Sequence, residues 1–238
     1  MGDNTTTNRS TPVAVCGGQT FCQISGGNNQ SLGIDNTGKA WTWGYNLFGQ
    51  LGDNTTTNRS TPVAVCGGQT FCQISGGHYH SLGIDNNGKS WCWGDNTYGQ
   101  LGDNSITNRS TPVAVCGGQT FCKISCGYYH SLGIDNTGKV WSWGFNSNGK
   151  LGDNTTTNRS TPVAVCGGLT FCQISGGWNH SLGIDHTGKA WGWGYNLQGQ
   201  LGDNTTVSKR TPIAVCGGQI FCHISCGYQH SLGIDNTG

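Results

Sequence analysis

Four histidines recur at one place in a 50-residue period: His80, His130, His180 and His230. Each is followed by serine, and an aspartate stands five residues after it (Asp85, Asp135, Asp185 and Asp235). These are the groups of a hydrolase triad, but a triad is a single convergent constellation in a single cleft. A set stamped on every copy reads as scaffold, and no catalytic residue is assigned. A ring of histidines around an axis could hold a metal; bonding to a neighbouring backbone group is the simpler use. Neither a metal nor a cofactor is expected. The loop Gly52-Asp53-Asn54-Thr55-Thr56-Thr57-Asn58 has the composition of a calcium loop. It lacks the alternating carboxylates and the closing glutamate, and Asx-turns with threonine caps account for it.

Cysteine offers a second chemistry. Ten of the thirteen lie in a strict Cys-Gly-Gly-x-x-Phe-Cys pattern: Cys16 and Cys22, Cys66 and Cys72, Cys116 and Cys122, Cys166 and Cys172, Cys216 and Cys222. Each pair could close a short loop as a disulfide, contributing about 2 kcal/mol in the chain-entropy account. That reading sets the protein in an oxidising place, extracellular or surface-exposed. The alternative is ten reduced cysteines acting as small hydrophobes. Cys92, Cys126 and Cys226 stand outside the pattern, and an odd total leaves a monomer with at least one free thiol.

The residues that must position these groups are organised by the run Lys39-Ala40-Trp41-Thr42-Trp43-Gly44, which returns at Lys89, Lys139 and Lys189. Tryptophans at i and i+2 point to one side of a strand, and the residue between them is small (Thr42, Cys92, Ser142 or Gly192). One face is therefore bulky and the other nearly flat. Such a sheet needs a copy of itself alongside to bury its indoles, which is the logic of a radially repeated β-sheet. Thr11–Val15, Phe21–Ser25 and Ser31–Asp35 supply three more short strands, with proline suiting the first to an edge. Asp35-Asn36-Thr37-Gly38 reads as a hairpin turn. No segment has a helical period, so the chain is all-β with four short strands per unit. The units are 1–50, 51–100, 101–150, 151–200 and 201–238 of one array, 1–238. Net charge is +1 with no basic run, and no apolar stretch is long enough for a spanning helix. Neither nucleic acid nor membrane insertion is expected.

The run Ile124-Ser125-Cys126-Gly127-Tyr128-Tyr129-His130-Ser131-Leu132-Gly133-Ile134-Asp135, continuing to Leu151-Gly152, resembles the RCC1 repeat. Spacing, turn glycines and the Trp-Gly-x-Asn-x-x-Gly motif agree along the whole chain. The resemblance implies a β-propeller of four-stranded blades. Members usually have seven, and they include a nucleotide-exchange factor for a small GTPase and secreted bacterial β-lactamase inhibitors. This chain departs by carrying five copies of three strands but four of the Trp strand, which gives four full blades and an incomplete fifth. Such a chain suits a fragment of a longer array, or a last blade filled by another chain through strand addition.

Differences among the copies gather at two places. One is the turn after the Phe-Cys strand (Asn28 and Asn29, His78 and Tyr79, Tyr128 and Tyr129, Trp178 and Asn179, Tyr228). The other is the exit of the Trp strand (Tyr45 and Phe48, Asp95 and Tyr98, Phe145, Tyr195). In an up-and-down meander both lie at one rim. Their aromatic, histidine and asparagine chemistry fits a recognition surface, since rings give contact area at low entropy cost. The function expected is a non-catalytic protein-binding scaffold. The alternatives are a structural or assembly protein of a cell surface, fibre or virion, joined through the open blade, and a carbohydrate-binding lectin.

Overall fold

Alternating apolar and small residues between glycine turns fold each copy into a meander. In the computed structural model, which describes residues 2–235, blade one is β1 (Phe21–Gly26), β2 (Gln30–Asp35), β3 (Ala40–Gly44) and β4 (Arg59–Ala64). These pair antiparallel in that order. The pattern repeats as β5 (Phe71–Gly76), β6 (His80–Asp85), β7 (Ser90–Gly94) and β8 (Arg109–Ala114), then as β9 (Phe121–Cys126), β10 (His130–Asp135), β11 (Val140–Gly144) and β12 (Arg159–Ala164). Blade four is β13 (Phe171–Gly176), β14 (His180–Asp185), β15 (Ala190–Gly194) and β16 (Lys209–Ala214). A two-stranded sheet of β17 (Phe221–Cys226) and β18 (Ser231–Asp235) follows. Four full blades and an incomplete fifth are therefore present.

The Thr-Pro strand of each copy is the outermost strand of the blade before it. It starts at Arg59, two residues ahead of Thr61-Pro62. The first Thr-Pro segment, residues 11–15, was expected as an edge strand and forms none, because it has no Trp strand to pair with. The hairpin turns close as anticipated: Gly38 N–H donates to Asp35 O at 2.9 Å, with Gly38 at φ +83°.

The core is a series of seams between blades. Trp93 is fully buried with Phe71 and Ile74 of its own blade against Leu32, Ile34 and Ala40 of blade one. Trp143 and Trp193 repeat this arrangement one and two blades on. The first tryptophan of each pair is half-buried; Trp41 donates its indole N–H to Asp35 Oδ2 at 2.8 Å, and Lys39 Nζ lies 4.5 Å from its ring centre. A further seam lines the axis. Ile74 N–H donates to Gln23 Oε1 (2.9 Å) and Gly76 N–H to Ser25 Oγ (3.1 Å), so side chains of one inner strand cap the free edge of the next. At the open end the series stops. Leu232 and Ile234 are 63% and 52% exposed, although their counterparts in complete blades are buried. Leu182, Ala190, Leu201, Val215, Phe221 and Ile224 line a cavity of about 340 Å³ there, and they correspond to residues that surround the buried indoles elsewhere.

Candidate partner-binding rim

The two variable segments of each copy are stitched together by the backbone. Tyr45 N–H donates to Asn29 O (2.9 Å), Asp95 to Tyr79 O (2.8 Å), Phe145 to Tyr129 O (2.8 Å) and Tyr195 to Asn179 O (2.8 Å). The approach depends on glycine: a Cβ on Gly94, at φ +107°, would stand 2.4 Å from Tyr79 O. The turn after the inner strand and the exit of the Trp strand therefore share one rim, as the meander argument expects.

Side chains from successive blades interlock there. Tyr45, Phe48 and Tyr79 form a triangle across blades one and two, with ring centres 4.8–6.4 Å apart. His78 lies against Tyr79 and stacks on Tyr128 at 3.8 Å. Tyr128 meets Trp178 edge-on, and Trp178 stacks on Tyr228 at 4.0 Å. Tyr98 touches Tyr129 and Phe145. Ten of the fifteen residues singled out in the sequence thus form one aromatic belt spanning every copy. Asn28 and Asn29 are exposed beside it, and Tyr195 is half-buried with no ring partner among the described residues.

Two buried charges lie in this rim. Asp95 is 3% exposed; Oδ1 accepts from Thr97 N–H (3.1 Å) and Oγ1 (2.6 Å), and Oδ2 accepts from Gln100 Nε2 (2.8 Å). No cation pairs with it among the described residues. Its charge raises the pKa of neighbouring Tyr79 and Tyr129, although burial is the larger cause in both. Burial also lowers the pKa of His78, against the opposing pull of Asp95. The second charge is Lys150, fully buried beside Phe145 (4.3 Å to the ring centre) and hydrogen-bonded to Asn179 Oδ1. Burial takes its pKa from 10.5 down to about 7. Sequence reasoning missed Lys150, although the signal was present: the other copies carry Gln50, Gln100 and Gln200 at that position.

The recurrent histidines serve the seams. Ser131 Oγ donates to Gln100 O at 2.8 Å, so it accepts from His80 Nε2 at 3.1 Å, which fixes the proton on that nitrogen. His130 with Ser181 and His180 with Ser231 repeat the bond. The histidine partner is therefore a serine hydroxyl of the next blade rather than the backbone group anticipated. Burial lowers the pKa of His80 to about 3 and of His180 to about 4, keeping both neutral. Asp53 is used within its loop. Burial pushes its pKa up, but hydrogen bonds from Thr55, Arg59 and Asn46 more than offset this and hold it below the usual range.

No disulfide joins any of the thirteen cysteines in this structure. The disulfides expected for Cys16 and Cys22, Cys66 and Cys72, Cys116 and Cys122, Cys166 and Cys172, and Cys216 and Cys222 are not formed in this structure. The second thiol of each pair lies instead against carbonyls of the neighbouring strand. Cys72 Sγ is 3.5 Å from both Ile84 O and Asp85 O, and the other four copies match.

Comparison with known proteins agrees with this architecture. Human WBSCR16 superposes with a TM-score of 0.84 at 20% identity, over 92% of this chain and 58% of that one. Yeast RCC1 (Prp20), solved bound to Kap60, gives 0.81 at 20% identity, over 93% and 55%. Prp20p from Saccharomyces cerevisiae, described with its binding properties to Gsp1p and histones, gives 0.80 at 20% identity, over 94% and 58%. The chain thus spans little more than half the length of these structures, and at such identity they show the fold alone. No curated protein matches the sequence. A family model described as the RCC1-like domain matches residues 1–233, and the chain belongs to that RCC1-like β-propeller family.

Proposed function

We propose that this protein is a non-catalytic scaffold that binds a protein partner through the aromatic rim. The carrying observation is the continuous belt from Phe48 to Tyr228, in which neighbouring blades contribute interlocked rings, most of them half-buried. Rings held against each other lose little freedom on binding, so their contact area is available at low cost. RCC1-like relatives solved with, or described as binding, proteins support the same reading. The test is selection of binders from a random peptide library on the immobilised protein. Binders should be lost on a folded variant carrying Tyr79→Ala, Tyr98→Ala and Tyr129→Ala, and kept when Lys39, Lys89 and Lys139 at the opposite rim become alanine. Binding indifferent to the tyrosine variant, or capture of glycans alone on an array, would overturn the proposal.

A second reading, assembly into a fibre or layer through the open blade, is favoured by the exposed Leu232 and Ile234 and by the cavity beside them. Light scattering tests it, since an assembling chain does not run as a monomer. The extracellular or surface-exposed setting belongs to the proposal and rests on the paired cysteines. A thiol count with and without reductant decides it: ten protected cysteines support export, and thirteen free thiols remove the argument.

A further inference from the structure

A buried carboxylate with no cation is costly to keep, and it favours positive charge at the surface next to it. Asp95 is such a group. It stands where the other copies carry Tyr45, Phe145 and Tyr195, and it is 3% exposed. Its three hydrogen-bond donors, from Thr97 and Gln100, are all neutral. Asp95 N–H donates to Tyr79 O at 2.8 Å, and Tyr98, three residues on, packs against Tyr129. His78, 6% exposed and held neutral by burial, has no partner for its Nδ1. The rim of blade two therefore combines ring surfaces, a buried carboxylate without a cation beside them and a histidine nitrogen without a bond.

We propose that the rim over blade two is the receptor for a cationic side chain, a guanidinium or an ammonium, presented by the protein partner. The inference rests on reading the rim as the partner-binding face and names the chemistry at its centre. The cation gains the quadrupole of Tyr79, Tyr98 and Tyr129 and the field of Asp95 beside them. Blade three supplies the contrast that sets register. There Lys150 replaces glutamine beside Phe145, so a cation shifted by one blade finds no carboxylate and, below pH 7, like charge.

The test is the same peptide selection, read for composition and repeated on the Asp95→Asn variant, which keeps the size of the site and the two bonds from Thr97 while giving up the acceptor of Gln100 Nε2. Expected are binders with a recurrent arginine or lysine, an affinity loss on the order of tenfold on D95N, and weakening as salt rises from low to molar concentration. Binders lost on the tyrosine variant but lacking a recurrent cation, or unaffected by D95N, would overturn this inference and leave the rim as a binding face. Absence of tyrosine-dependent binders would overturn both.

Discussion

Replacing Lys150 by glutamine isolates what a buried amine costs this fold. The folded-state pKa is about 7 against 10.5 for the free group. At 1.36 kcal/mol per pH unit, keeping the amine inside costs roughly 3 kcal/mol at pH 8 and about 1 kcal/mol at pH 9.5. Glutamine also restores a bond made in the other copies, where its Oε1 accepts from the N–H two residues back (Gln50 from Phe48 at 3.0 Å, Gln100 from Tyr98 at 2.9 Å). That bond is worth about 1 kcal/mol. Lost in exchange are the contacts of Lys150 with Asn179 and Phe145, together on the order of 1–2 kcal/mol. The variant should therefore be about 2 kcal/mol more stable at pH 8. Because the folded pKa is depressed, the parent gains stability as pH rises from 7 towards 10.5, and the variant's advantage shrinks over that window. Urea unfolding followed by tryptophan fluorescence at pH 7, 8 and 9.5 measures both quantities. A variant no more stable than the parent, or an advantage independent of pH, would refute the reasoning.

Acid should unfold the seams through the buried histidines. With a folded pKa of about 3 against 6.5, His80 contributes stability that is intact above pH 6.5 and lost as pH falls towards 3, about 2–3 kcal/mol of it by pH 4.5. His80→Gln, which copies Gln30 and its bonds to Gly77 O and His80 O, should flatten the acid limb of a circular-dichroism titration. Trp93→Ala should cost about 3–5 kcal/mol, as for a large ring removed from a closed core, and half-buried Trp91→Ala clearly less; comparable losses in chemical unfolding would contradict the assignment of the seam. Gly94→Ala forces a Cβ against Tyr79 O and should lower the melting temperature while separating the two rim segments, so rim binders fail as well.

Exact repetition made the architecture legible. Four occurrences of Trp-x-Trp showed which face each blade buries, and the buried Trp93, Trp143 and Trp193 follow that pattern. The positions that vary among otherwise identical copies pointed to the rim. Three things were hidden. The burial of Asp95 and Lys150 was not visible, because one charge at a rim position reads as solvated until neighbouring blades supply the rings that cover it. The surroundings of the cysteine pairs were hidden as well: their spacing does not reveal that Cys72 Sγ lies against the carbonyls of Ile84 and Asp85 across the sheet. The outer strand begins at Arg59 because the exit of the Trp strand is its neighbour: Gly44 pairs with Arg59 across a register shift that no local pattern encodes.

The caps along the axis carry a consequence for how arrays of this kind change in length. Gln23 and Ser25 bond backbone amides exactly one period plus one residue further on, as do Gln73 and Ser75. Duplicating or deleting a complete module therefore returns each donor to an equivalent acceptor, whereas a one-residue slip within an inner strand would orphan the edge of the strand it meets. Change by whole modules thus keeps the bonding at the hub intact.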